Sequence, residues 1–210
     1  MRVTSHPRGE AGDFAFTAEN QARAKTLIGR YPAGRQASAV IALLDLAQRQ
    51  SGGWLPKEAI EYVAEMLDMA PIRVHEVSTF YTMFNLRPVG KHLIQVCRTT
   101  PCWLRGAAEL TRVCQEKLDV GLHENTDDGL FTVVEVECLG ACANAPMVQI
   151  NDHYYEDLSP ERMAEMIDDL KAGRELPIGP QTGRQCSAPP DGPKTLTEVP
   201  ARAGNGADKA

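Results

Sequence analysis

The sequence predicts an α+β protein, a helical N-terminal bundle followed by a small domain of strands and helices that carries the chemistry. Three observations lead there. Apolar residues recur at three- and four-residue spacing as far as Phe84, and from Gly90 onward they fall in short extended runs. Two cysteine pairs, Cys97 with Cys102 and Cys138 with Cys142, each follow such a run. From Leu176 the chain is rich in Pro and Gly and has little core-forming capacity. The expected segments are an arm over 1–16, a helical domain over 17–88, a strand-and-helix domain over 89–175 and an extended tail over 176–210.

The arm is polar and reads as a frayed terminus, with Phe14 and Phe16 as its anchors. Thr17 caps the first helix, which carries Leu27 and Ile28 and ends by Tyr31-Pro32-Ala33-Gly34. Val40, Ile41, Leu43, Leu44 and Ala47 give the second helix its apolar face, and Ser51-Gly52-Gly53 stops it. Pro56 near the first helical position opens a third, with Ile60, Val63, Ala64 and Leu67 inward. Pro71 opens a fourth. Its stripe of Ile72, Val77, Phe80, Tyr81 and Phe84 is expected to be core packing rather than a flavin pocket.

After Gly90 a strand over 92–96 delivers Cys97. Thr100 as cap and Pro101 at the first position start a helix that runs on through Leu118 and places Cys102 in its first turn, where free amides and the helix dipole favour thiolates. Cys114 on its apolar face reads as a small buried hydrophobe. A second strand over 130–136 leads to Cys138, and Gly140 permits the sharp path to Cys142. A third strand over 147–150, a turn at Asn151-Asp152 and a fourth strand over 153–156 follow. Ser159-Pro160 starts a closing helix stopped by Gly173. Strand, helix, hairpin and closing helix in this order are what a thioredoxin-like domain gives. In the tail, Leu176-Pro177-Ile178-Gly179-Pro180-Gln181 and Thr195-Leu196-Thr197-Glu198-Val199 supply isolated apolar anchors for a partner surface, and Cys186 reads as an incidental thiol.

Composition excludes several classes of function. With 43% hydrophobic and 24% charged residues in 210, the chain can bury a real core. A formal charge of -6 without a Lys/Arg-rich run gives nucleic acid no electrostatic footing. The longest apolar stretch, 39–44, is far short of the roughly 20 residues that span a bilayer. The first residues have no signal-peptide core, and Glu10, Asp13 and Glu19 argue against a transit peptide, so the start reads as mature sequence. Neither a Gly-x-Gly-x-x-Gly fingerprint nor a Walker-type loop is present, so nucleotide and hydride chemistry must lie elsewhere.

Four thiolates brought together call for a metal. The gaps within the pairs, four residues and then three, are wider and less equal than matched zinc knuckles, which favours a 2Fe-2S cluster. A single zinc ion and a pair of redox disulfides stay open as alternatives, the latter weakened because neither loop has Cys-x-x-Cys spacing. Glu135 and Glu137 beside the second loop should lower a cluster's potential, and Arg98 and Arg105 near the first should raise it.

Gly53-Trp54-Leu55-Pro56, the run from Glu76 to Phe84, Pro88-Val89-Gly90-Lys91, the two cysteine loops and Asn144-Ala145-Pro146-Met147 together resemble the NuoE-type thioredoxin-like 2Fe-2S subunit of respiratory complex I, the NADH:quinone oxidoreductase. The likeness covers about residues 17–173. It implies a helical part plus a thioredoxin-like ferredoxin in which Cys97, Cys102, Cys138 and Cys142 ligate one 2Fe-2S cluster. It further implies a partner flavoprotein subunit that binds FMN and NADH and exchanges single electrons with that cluster, other peripheral-arm subunits, no substrate site on this chain, and a peripheral place on the cytoplasmic side of a bacterial inner membrane. The equivalent diaphorase subunits of NAD-dependent hydrogenases and formate dehydrogenases share the cysteine pattern and form the nearest alternative.

Overall fold

The computed structural model describes residues 14–189 together with 191, 192, 194, 195 and 197. Of the expected arm, 1–13 lie outside the described residues; of the tail anchors, so do Leu196, Glu198 and Val199. The chain divides into two compact units, one of residues up to Ile94 with Leu118–Val134, the other of Gln95–Lys117 with the residues from Glu135 onward.

The first unit opens with α1 (Ala18–Ile28), α2 (Val40–Gln50), α3 (Lys57–Met66) and α4 (Pro71–Phe80), a short 3-10 turn at Gln36–Ala39 leading into α2. Thr17 caps α1 as expected, its hydroxyl accepting from the Asn20 amide at 3.3 Å. Pro56 stands one place earlier than expected, at the cap of α3. The core is Leu43, Leu44, Leu55, Ile60, Val63, Val74 and Phe84, all essentially inaccessible. Phe14 and Phe16 pack on the bundle, both rings meeting Tyr62 edge-on, at 5.5 and 5.4 Å. Gln50 ties the same entry, accepting from the Thr17 amide and donating to the Ala15 carbonyl.

The fourth helix corrects the sequence reading. Its buried face is Val74 and Ser78, the latter's hydroxyl donating to the His75 carbonyl, whereas Ile72 is 60% and Phe80 77% exposed. Ile72 and Phe80 each stand two residues from a buried position, which puts them on the far side of α4 from Val74 and Ser78, whereas Phe84, beyond the helix end, is in the core.

Among the described residues the sheet has five strands in the order β2-β1-β3-β4-β5. These are β1 (His92–Cys97), β2 (Phe131–Val136), β3 (Val148–Ile150), β4 (His153–Glu156) and β5 (Gly179–Pro180). β3 and β4 form the expected antiparallel hairpin through Asn151 at φ 53°, and β4 takes β5 as a parallel neighbour. The helix after Cys97 is two helices, α5 (Thr100–Leu104) and α6 (Ala107–Leu118), because Gly106 adopts φ 96° and stops the first. α7 (Pro160–Lys171) is capped by Ser159, which accepts from the Arg162 amide, and buries Met163, Met166 and Ile167.

β5 lies in the tail. Gly179–Pro180 extends the chain's own sheet and Gln181 is held by its amide to the Glu156 carbonyl, while Ile178, one of the expected anchors, is 60% exposed.

Candidate metal centre

Cys97 is the last residue of β1, and its amide donates to the Met147 carbonyl at 3.3 Å. Cys102 is the third residue of α5, capped by Thr99 rather than by the expected Thr100. Cys138 and Cys142 lie in the loop after β2, the second of them opening a 3-10 turn, Cys142–Asn144. The first pair is buried and the second exposed; all four are free thiols.

These sulfurs are brought together in two pairs. Those of Cys138 and Cys142 are 3.5 Å apart, and those of Cys97 and Cys102 share a hydrogen bond. The pairs also sense each other's charge, Cys97 acting on Cys142 and Cys142 on Cys102. Among the described residues no three Cys, His, Asp or Glu side chains converge as ligands of one metal ion do. Two thiol pairs side by side suit a two-iron core, in which each iron takes two thiolates.

The donors around the sulfurs differ from the sequence reading. Burial works against an anion at Cys97, yet hydrogen bonds from the Leu139 amide, the Thr99 hydroxyl and amide and the Cys102 thiol hold it below its ordinary value. Burial, with the Cys97 hydrogen bond, pushes Cys102 up to about 12. The hydrogen bond with Cys138 raises Cys142, with burial and neighbouring charge adding to it. Amides of Leu139 and Met147 thus reach the first pair, and Gly140 donates to the Cys138 sulfur at 3.4 Å. α5 has one turn, and the sulfurs take their backbone donors from the second loop, from Thr99 and from the approach to β3 instead of from a long helix.

Tyr154 on β4 fixes this donor set, its hydroxyl donating to the Leu139 carbonyl at 2.8 Å. Leu139, Met147 and Tyr154 were missed by sequence reasoning. The first two act through amides, which any residue supplies, and the third sits in a strand whose sequence shows only alternation.

Charge near the site is partly cancelled. Arg98 and Glu135, expected to pull a potential in opposite directions, form a 2.6 Å ion pair, and Thr111 donates to the other Glu135 oxygen. An open cleft of about 430 Å³ borders the second pair, lined by Cys142, Ala143, Pro101, Leu104, Asp157 and Arg184 among others. Trp103 and Leu104, directly after Cys102, are 61% and 69% exposed. Cys114 is fully buried, and burial raises it to about 12, so it is inert; Cys186 lies exposed in the tail.

The fold defines the class: an α+β protein of the thioredoxin-like type, in which two cysteine pairs lie near each other. The chain belongs to the thioredoxin-like 2Fe-2S ferredoxin family, whose model matches residues 24–171, and the family's cofactor is a 2Fe-2S cluster. It is 58% identical over 159 residues to a subunit of the NADH-quinone oxidoreductase of Rickettsia bellii, an alignment covering 76% of this chain and 95% of that one. It is 45% identical over 198 residues to the mitochondrial NADH dehydrogenase [ubiquinone] flavoprotein 2 of Dictyostelium discoideum, covering 94% and 80%. Among solved structures, an NAD+-reducing NiFe hydrogenase in the H2-reduced state shares the fold at 21% identity and a TM-score of 0.55, over 64% of this chain and 22% of that one.

Proposed function

We propose that this chain is the electron-transfer subunit of an NADH:quinone oxidoreductase, with Cys97, Cys102, Cys138 and Cys142 as the four ligands of its 2Fe-2S cluster. When bound, such a cluster takes up and releases one electron at a time. The observation that carries the reading is the disposition of the four thiols in two adjacent pairs. The close relationship to a complex I subunit over nearly that subunit's whole length supports the assignment to a complex.

The chain's own residues prepare the site. Amides of Leu139 and Met147 and the Thr99 hydroxyl point at the first pair of sulfurs and favour their ionised form, and the Gly140 amide donates to the Cys138 sulfur. Tyr154 holds the Leu139 peptide that supplies one of these amides. Trp103 and Leu104 form an exposed apolar rim beside Cys102, suited to excluding water where a partner docks. That partner is a flavoprotein subunit that binds NADH and FMN, with other peripheral-arm subunits completing the assembly. The subunit is peripheral, on the cytoplasmic side of a bacterial inner membrane; among the described residues no helix is long and apolar enough to cross one.

The test is iron and sulfide content with the EPR spectrum of the reduced full chain. Two irons and two sulfides per chain with a single 2Fe-2S signal are expected, and Cys142→Ser should lose the cluster or alter that signal. A colourless chain holding one zinc ion refutes the proposal.

A further inference from the structure

The tail residues Arg184 to Cys186 reach back to the turn that begins at Cys142. Arg184 Nε donates to Asp157 Oδ2 at 2.7 Å, and Nη2 donates to Asp157 Oδ1 at 2.6 Å and to the Ala143 carbonyl at 2.7 Å. Nη1 adds a bond to the Ala188 carbonyl at 3.2 Å. The ion pair is largely desolvated, its side chains 10% and 14% exposed. Asn144, at the other end of the turn and 2% exposed, donates to the Cys186 carbonyl at 2.8 Å and to Asp157 at 3.4 Å, while its own carbonyl accepts from the Asp157 amide.

Ala143 and Asn144 are therefore bound by Asp157 on one side and by the tail on the other. A guanidinium is the group that can do this, since its fork meets a carboxylate with two N–H groups and has others left for carbonyls. The exposed pair has no such burial of its own: Cys138 and Cys142 lie in a loop whose sulfurs are open to solvent, so the turn must be held from behind.

We infer that Arg184 is a positioning residue for the cluster site: neutralised by Asp157, it clamps the Ala143 carbonyl and fixes the turn that presents Cys142, making retention of the cluster depend on the tail. This rests on Cys142 being a ligand. Arg184 touches no ligand sulfur in this role and acts through the backbone immediately after Cys142.

The test follows the rate at which a ferrous-iron chelator strips the cluster-loaded full chain, with EPR spectra recorded on the same samples. Arg184→Ala is expected to release iron about tenfold faster, the ratio equivalent to one charge-assisted hydrogen bond, and to change the g-values. Arg184→Lys keeps a cation for Asp157 but has no second arm for Ala143, so its rate should fall between the two. Arg162→Ala removes a different tail contact, Arg162 having Gln181, Glu165 and Asp169 as partners, and should release iron at the wild-type rate. The inference is overturned if Arg184→Lys keeps the wild-type rate and spectrum, a result readable even where Arg184→Ala does not fold. It is equally overturned if Arg162→Ala accelerates release as much as Arg184→Ala, because general loosening of the tail would then account for the loss. A wild-type chain without iron, or a Cys142→Ser variant with unchanged signal, overturns the ligand assignment instead.

Discussion

Gly140 stands between the two cysteines of the exposed loop at φ 86°, and an added Cβ there meets no protein atom within 4 Å. Gly140→Ala therefore leaves steric contacts untouched and keeps the amide that donates to the Cys138 sulfur. What remains is the cost of holding an L-residue left-handed, about 1–2 kcal/mol. For a chain of this size that lowers the melting temperature by roughly 2–8 °C. Since the N–H to sulfur bond survives, the midpoint potential should not move. Gly90→Ala is the opposite case: its Cβ would lie 2.5 Å from the Phe131 carbonyl carbon, a backbone atom with no freedom to yield, and Gly90 also donates to the Thr132 hydroxyl. That variant should fold poorly or melt far below Gly140→Ala. The measurement is thermal unfolding of the cluster-loaded chain by far-UV circular dichroism and visible absorbance together, with an EPR-monitored potentiometric titration of Gly140→Ala. A potential shift in that variant, or a melting loss as large as that of Gly90→Ala, would show that the loop needs glycine for close approach rather than for its dihedral, and the reasoning would fail.

Two further outcomes follow from the charges. Glu135→Gln frees Arg98 and removes a negative charge beside the site, so the midpoint potential should rise, on the order of 10 mV and less at high salt, because Arg98 is exposed and screened; a fall in the same titration contradicts this. His92 packs on Phe131, and burial, with the Lys91 charge, lowers its pKa in the folded chain. The unfolded state then binds the proton more tightly, so its contribution to stability is full above about pH 6.5 and is lost as pH falls through the folded pKa. His92→Gln should flatten that acid limb in denaturant titrations at a series of pH values, and an unchanged slope rules His92 out as its source.

Local rules made the caps legible, since Thr17 and Ser159 each act within three residues of themselves. The candidate ligands stand out for a similar reason, four residues of one reactive type at the ends of apolar runs. What escaped was whatever depends on a count of turns or on a distant partner. The stripe from Ile72 to Phe84 reads as one apolar face, yet Ile72 and Phe80 lie across α4 from Val74 and Ser78, and which side the neighbouring helices cover is not written in the stripe itself. The break at Gly106 was missed because apolar residues resume in phase at Ala107 and Leu110.

The deeper obstacle lies in the chemistry of the site. The sulfurs here accept from amides of Leu139, Gly140 and Met147, groups that every residue but proline possesses, so side-chain identity at those positions leaves no trace of the role. What does leave a trace is the support behind them: a tyrosine hydroxyl on Leu139, and an arginine whose partner carboxylate lies 27 residues away in sequence. Neither Tyr154 nor Arg184 sits in a pattern with a period. Each is intelligible only when the loop's free carbonyls are counted and matched to donors, because a carbonyl beside a ligand that lacks a partner lets the ligand drift. The proposed cluster site is thus written in the cysteines, and its rigidity in polar residues that look, in sequence, like ordinary surface.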